Sequence, residues 1–198
     1  MNIFVLDLDP AKAAKFHCDK HVVKMILESG QMLCTAHWTH GLRSLKKELS
    51  DFKRVRDAKA FALNNLSSEL IPPWTLTHAK HPCSVWTAET QGNYDWHLDL
   101  MRELLNEYTN RYKKNHKSEA VWKWLNSKKP LTLEYYNPMT EHPQCMPDEC
   151  KVLGDPVSAY RNYYRMHKYS MAKWKWSSAP AWWLHNDEKK IKNESSSS

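Results

Sequence analysis

The chain has 198 residues, 41% of them hydrophobic, including ten Trp and nine Tyr, enough to bury a sizeable core within one domain. Only four glycines are present, which excludes a glycine-loop nucleotide fold and argues against a turn-rich β-sandwich. Lys plus Arg outnumber Asp plus Glu by 29 to 22, a formal net charge of +7 that solubility explains as well as a polyanionic partner does.

No apolar run approaches the roughly 18 residues of a bilayer span and no signal peptide is visible, so no membrane is expected. Five cysteines without a CxxC pair suit free thiols in a reducing cytoplasm.

The chain opens with Asn2 to Leu8 (NIFVLDL), a short apolar run that reads as a strand or an extended core segment. Asp9-Pro10 supplies a favoured N-cap and first helical residue. A helix is therefore expected from Pro10 to His37, with Gly41 as its stop. Along it Cys18, Val22, Ile26, Ser29, Leu33 and Ala36 recur at steps of three and four as one small-to-apolar stripe. His17, His21 and Glu28 share a second stripe. From Leu42 to Leu66 the chain is basic and partly helical, with Leu45, Leu49, Phe52 and Val55 in register. A solvated helix packed on that stripe is favoured over a phosphate-facing one, because acidic residues interrupt the charge.

Prolines mark Ile71 to Pro82 as a loop. Ser84 can cap a helix from Val85 to about Tyr112, on which Trp86, Thr90, Asn93, His97, Leu100, Leu104, Tyr108 and Arg111 form one stripe. Asn93 and His97 stand where core residues are expected, and their burial demands partners. His17, His21 or Glu28 across a helix pair would supply them. A short helix follows at Ser118 to Leu125. A long loop from Pro130 to Gly154 carries Pro130, Pro138, Pro143 and Pro147, a length usually functional or mobile. Asp155-Pro156 repeats the helix start, and this helix is expected to reach about Trp174. Pro180, Trp182 and Trp183 look like an anchor packing back on the body, and the serine run from Ser195 is of low complexity. The expected fold is mainly α. It is a compact single helical domain over 1–190 with a short N-terminal extended segment, long proline-bearing loops and a disordered tail at 191–198.

Two imidazoles and a carboxylate on one helix face can move protons near neutral pH. They can also bind a metal or form a buried polar network. HCDKH lacks the HExxH form, since Lys20 stands between the histidines, and a hydrogen-bonded pocket lining fits better than a zinc site. Cys145 and Cys150, spaced C-x4-C without a second pair, are a poor zinc signal, so neither metal nor cofactor is assigned. Glu28, His21 and His17 are the candidate catalytic residues. Asn93, His97 and His81 with Arg111, Arg161, Tyr164 and Lys168 are the candidate substrate or DNA contacts, because basic and aromatic side chains neutralise phosphates and stack on bases.

The short apolar start, followed by a helix with Asp19-x-His21-Val22-Val23 and Glu28, resembles the pyrimidine-dimer DNA glycosylase family. The resemblance implies a mostly helical fold and an N-glycosylase with abasic-site lyase activity. An N-terminal amine attacks the sugar C1′ and a glutamate supports the imine chemistry. Glu28 matches that glutamate and His21 the family's histidine, while the stretch from Trp174 to Trp182 is similar to its C-terminal aromatic cluster. The family has a small residue after the initiator Met. Here Asn2 follows Met1, so the amine belongs to Met1 or is lacking. The chain as a whole is similar to phage-encoded accessory proteins, which implies a host cytoplasm and a DNA or nucleotide partner. Three other functions share the same inventory: a non-catalytic nucleic-acid-binding or host-interaction protein, an enzyme of base hypermodification, and a metal-dependent hydrolase.

Overall fold

The computed structural model describes residues 1–133 and 137–183; the end of the expected domain and the serine tail lie outside them. The fold is all-α, and no strand occurs among the described residues. No described helix is long and apolar enough to cross a membrane. The N-terminal segment is extended and forms core: Ile3, Phe4, Val5 and Leu6 are all buried.

The expected first helix is two helices, α1 (Pro10–Phe16) and α2 (Asp19–Ser44). Asp9 caps α1, its side chain accepting from the Ala11 and Lys12 N–H groups. The chain breaks at His17-Cys18 although neither residue is a helix breaker. The cause is tertiary. The Arg111 guanidinium enters the break and donates to the carbonyls of Lys15 and His17 and to Asp19 Oδ1, satisfying acceptors that a helix end leaves open. At its far end α2 runs through Gly41. A Cβ there would stand 2.7 Å from Leu66 Cδ1, so Gly41 admits a neighbouring element and does not stop the helix.

That neighbour is α3 (Val55–Asn65), whose Ala58 and Ala62 pack with Trp38, Leu42 and Leu76 in a small second core. Phe61 of α3 packs on the same core against Phe52, and at the helix start Arg54 and Arg56 pair with Asp57. The Leu45-to-Val55 stripe is not one helix face: Val55 is exposed, while Leu49 and Phe52 precede α3 and lie against the second core.

The second expected helix also divides, into α4 (Pro82–Thr87) and α5 (Gln91–Tyr112). His81, not Ser84, caps α4, and Thr90 caps α5 by accepting from the Asn93 N–H. α5 packs against α1 and α2, where the buried Val22, Ile26 and Leu33 face a layer of Leu100, Met101 and Leu104. Each such side chain contributes about 1.5–3 kcal/mol by leaving water. Ser118 leads into α6 (Glu119–Ser127). Among its described residues the proline-bearing segment is irregular as expected, with a single 3-10 turn at Asp148–Cys150.

Asp155 caps α7 (Pro156–His167), which ends well before Trp174. The chain then folds back: Trp174 Nε1 donates to the Phe16 carbonyl, and Arg165 donates to the Trp182 carbonyl. The aromatic end thus closes over α1 and α7.

Candidate active site around Met1 and Glu28

Burial of Ile3 to Leu6 draws the chain start alongside α2, and this places the Met1 amine beside Glu28. The amine lies 3.8 Å from Glu28 Oε2, and the Asn2 N–H donates to the same oxygen at 2.9 Å. Lys24, one turn earlier on α2, lies 3.2 Å from Oε1. The Glu28 side chain is 12% exposed, so it is held by one hydrogen bond and two ion pairs yet still reaches solvent. Asn2 is fixed in turn: its Oδ1 accepts from the Tyr160 hydroxyl at 2.7 Å, and its Nδ2 donates to the Cys145 carbonyl at 2.9 Å.

His81 completes the cluster. Its Nδ1 accepts from the Cys83 N–H at 3.2 Å. Burial, then the Met1 amine and His78, lower its pKa, while Glu28 opposes them. The imidazole is thus biased toward its neutral form, with its Nδ1 lone pair held by the Cys83 N–H. Behind it Cys83 Sγ lies 3.6 Å from Cys145 Sγ. The Cys83 thiol donates to Cys145, which lowers the Cys145 pKa and raises that of Cys83.

The other residues of the His stripe are sealed away. His21 and Glu28 are seven residues apart, about 10 Å along the helix. His17 is fully buried, its Nδ1 2.7 Å from the Ala13 carbonyl, and burial lowers its pKa to about 4. His21 lies against the Phe4 ring, its Nδ1 2.5 Å from the Tyr164 hydroxyl, and burial lowers its pKa to about 2. Both imidazoles are neutral at neutral pH. A protonated His21 acting as proton donor, the role its helix position suggests, is opposed by its apolar surroundings. Nor does the pair gather a third metal ligand among the described residues.

Asn93 and His97 find partners other than those expected. Asn93 Nδ2 donates to the Trp86 carbonyl and to Thr140 Oγ1, and its Oδ1 accepts from the Thr140 N–H. His97 Nδ1 pairs with Thr87 Oγ1. These two residues hold the long loop and do not line the Glu28 cluster.

Most of the expected DNA contacts are likewise structural. Arg111 is buried, with Asp19 and Glu107 as counter-ions. Tyr164 is core. Arg161 donates to the Leu6 carbonyl and pairs with Asp7, its guanidinium over the Trp182 ring. Lys168 lies over the Tyr163 ring. On α7 Tyr160 and Tyr164 face the core, while Arg161, Tyr163 and Arg165 are half-buried at its rim.

The exposed basic surface lies elsewhere. On α2 the residues Lys20, Val23, Lys24 and Leu27 form an exposed stripe past Glu28. At the Lys20 end a groove of about 360 Å³ is bordered by Lys173, Lys175 and the 62% exposed Trp176. At the other end Leu27 and Gln31 line a second groove of about 400 Å³ with Pro73 and Trp74 as a wall. Trp74 lies so close to α2 that a Cβ on Gly30 would stand 2.5 Å from its ring. A groove of about 420 Å³ holds Glu103, Glu107 and Glu119 beside Arg102 and His116, and none of the residues around the amine.

No protein-family model, curated protein or solved structure matches this chain.

Proposed function

We propose that the protein is a DNA base-processing enzyme, an N-glycosylase with abasic-site lyase chemistry that uses the amine of Met1 as nucleophile and Glu28 as its carboxylate. The observation that carries this reading is the amine 3.8 Å from a largely buried carboxylate, a pair that the glycosylase resemblance requires and that sequence spacing alone does not bring together. In the proposed reaction the amine nitrogen bonds to the sugar C1′ as the C1′–base bond breaks. The base departs with a proton passed from the added ammonium through solvent water, so Glu28 remains a carboxylate. The C1′–O4′ bond then opens with protonation of O4′, leaving an imine. Glu28 stabilises the positive charge that develops at C1′ and on the iminium.

The surroundings suit a nucleic acid. Lys20, Lys24, Lys173 and Lys175 provide phosphate partners, Trp176 an exposed stacking face, and the Trp74 groove room for a base taken out of the helix. From Lys20 to Gln31 this face spans about 16 Å of α2.

Borohydride trapping tests the reading. Incubation with abasic DNA should yield a covalent protein–DNA adduct, lost when residues are added before Met1. Glu28→Gln should lower base release and trapping by on the order of 100-fold or more while leaving DNA affinity intact. The same Trp176 and lysine groove also supports a second reading, nucleic-acid binding without chemistry. That reading stands if neither adduct nor base release appears on damaged, abasic or modified DNA while salt-sensitive binding persists.

A further inference from the structure

Cys145 and Cys150 are near in sequence but belong to different clusters. Cys150 is buried beneath the exposed Glu149 and His167, whereas Cys145 meets His81 and Cys83, with one ligand atom from each of the three within 4.8 Å of the others. We propose that His81, Cys83 and Cys145 bind a thiophilic divalent ion, zinc above others, that pins the long loop to α4 and to the chain start.

The geometry fits such an ion. Two thiolates about 2.3 Å from a tetrahedral zinc stand about 3.8 Å apart, and here the sulfurs are 3.6 Å apart. A disulfide needs about 2.05 Å, so that pairing requires the loop to move, whereas an ion fits between the groups nearly as they stand. Cys83 is buried, but His81 and Cys145 are each only half-buried, which leaves an approach from solvent and an open fourth position for water. His81-Pro82 sets the first ligand at the start of α4 and Cys83 in its first turn; because a neutral imidazole offers one lone pair, ligation by His81 gives up the cap bond from the Cys83 N–H.

Asn2 bridges the two cysteines: its Nδ2 donates to the Cys145 carbonyl, and its Oδ1 accepts from the Cys83 thiol at 3.5 Å, a bond given up when that thiol loses its proton to a metal. The Tyr160 hydroxyl lies 2.7 Å from Asn2 Oδ1 and 2.8 Å from the Pro143 carbonyl. The site therefore ties together the chain start, α4, α7 and the loop, which share no regular backbone pairing. Binding replaces two S–H bonds by two metal–sulfur bonds and releases the thiol protons to solvent.

Cobalt(II) titration of the full, tag-free, reduced chain tests this. The expected result is a thiolate-to-cobalt charge-transfer band that saturates at one ion per chain and disappears when zinc is added. Cys145→Ser should abolish the band and His81→Ala should weaken binding. Tyr160→Phe should weaken it by about tenfold, as an outer-shell change. Cys150→Ser should leave it unchanged. Should Cys83→Ser fail to fold, Cys145→Ser alone carries the test, since that side chain is half-buried. The proposal is overturned if the reduced protein shows no band, if Cys145→Ser retains it, or if Cys150→Ser removes it. It is equally overturned if the two thiols form a disulfide on purification and the reduced protein then takes up neither cobalt nor zinc.

Discussion

Arg111 shows how one side chain can be misread from its charge and still decide the structure. It ends a stripe that looks able to reach a phosphate, yet its side chain is 1% exposed and paired with Asp19 and Glu107. Replacing it with Ala would leave those two carboxylates and the open carbonyls of Lys15 and His17 without their donor. Removing one partner of a buried ion network costs about 3–5 kcal/mol. Arg111→Ala should therefore lower the urea midpoint sharply, whereas the slope of DNA affinity against salt should not change. A reduced slope with normal stability would return Arg111 to the phosphate-binding surface. Glu28 is the opposite case. Its ion pair with Lys24 one turn away was legible from helical spacing, but its Met1 and Asn2 partners were not. Nothing in helical periodicity places the chain start against α2; the burial of Ile3 to Leu6 does that.

At the scale of elements the helix starts were legible and the helix breaks were not. Asp9-Pro10 and Asp155-Pro156 cap α1 and α7 as their side-chain chemistry dictates. The breaks at His17-Cys18 and between α4 and α5 carry no Gly or Pro within them, so only contacts from distant residues reveal them. The long loop is also more constrained than its proline content suggests. At the start of α5 the Gly92 N–H donates to the Asn137 carbonyl, and a Cβ on Gly92 would stand 2.3 Å from the Met139 nitrogen. Because that obstacle is backbone, a side chain there displaces the loop. With it go the Thr140 bonds of Asn93 and the contact of His142 with the Trp86 ring. Gly92→Ala should cost about 1–3 kcal/mol, the usual penalty of overpacking. It should also open the 137–147 segment to limited proteolysis, while Gly154, with open space around its Cα, should give no such cleavage when changed to Asn. The candidate metal cluster was illegible for a related reason. Its ligands come from residues 81, 83 and 145, and only the loop path brings the last to the first two.

Across the whole molecule, the many histidines are core groups more than surface ones, and this sets how the protein responds to acid. Burial is the leading cause for each of five: His17 falls to about 4, His21 to about 2, and His37, His97 and His142 each to about 3. The unfolded chain protonates its histidines near pH 6.5. A native pKa below that value means the unfolded state binds more protons, so stability rises with pH and is fully present only above about pH 6.5. As the pH falls below 6.5, each buried neutral imidazole loses up to about 1.4 kcal/mol by pH 5.5. The five together remove on the order of 7 kcal/mol, comparable with the roughly 5–15 kcal/mol that holds a typical domain together. The protein should therefore melt at a nearly constant temperature between pH 7 and 8 and unfold cooperatively as the pH approaches 5. This transition precedes the titration of ordinary surface carboxylates. Thermal melts across pH 8 to 4.5, repeated with His37→Gln, check it. His37 packs on Tyr94 and Trp124, so the substitution lowers stability at pH 8, but it should also flatten the acid limb by about one histidine's share. A melting temperature that stays level down to pH 5 would mean that these imidazoles take up protons in the folded protein, and that its core is far more open to water than the packing around Phe4, Trp86 and Tyr94 allows.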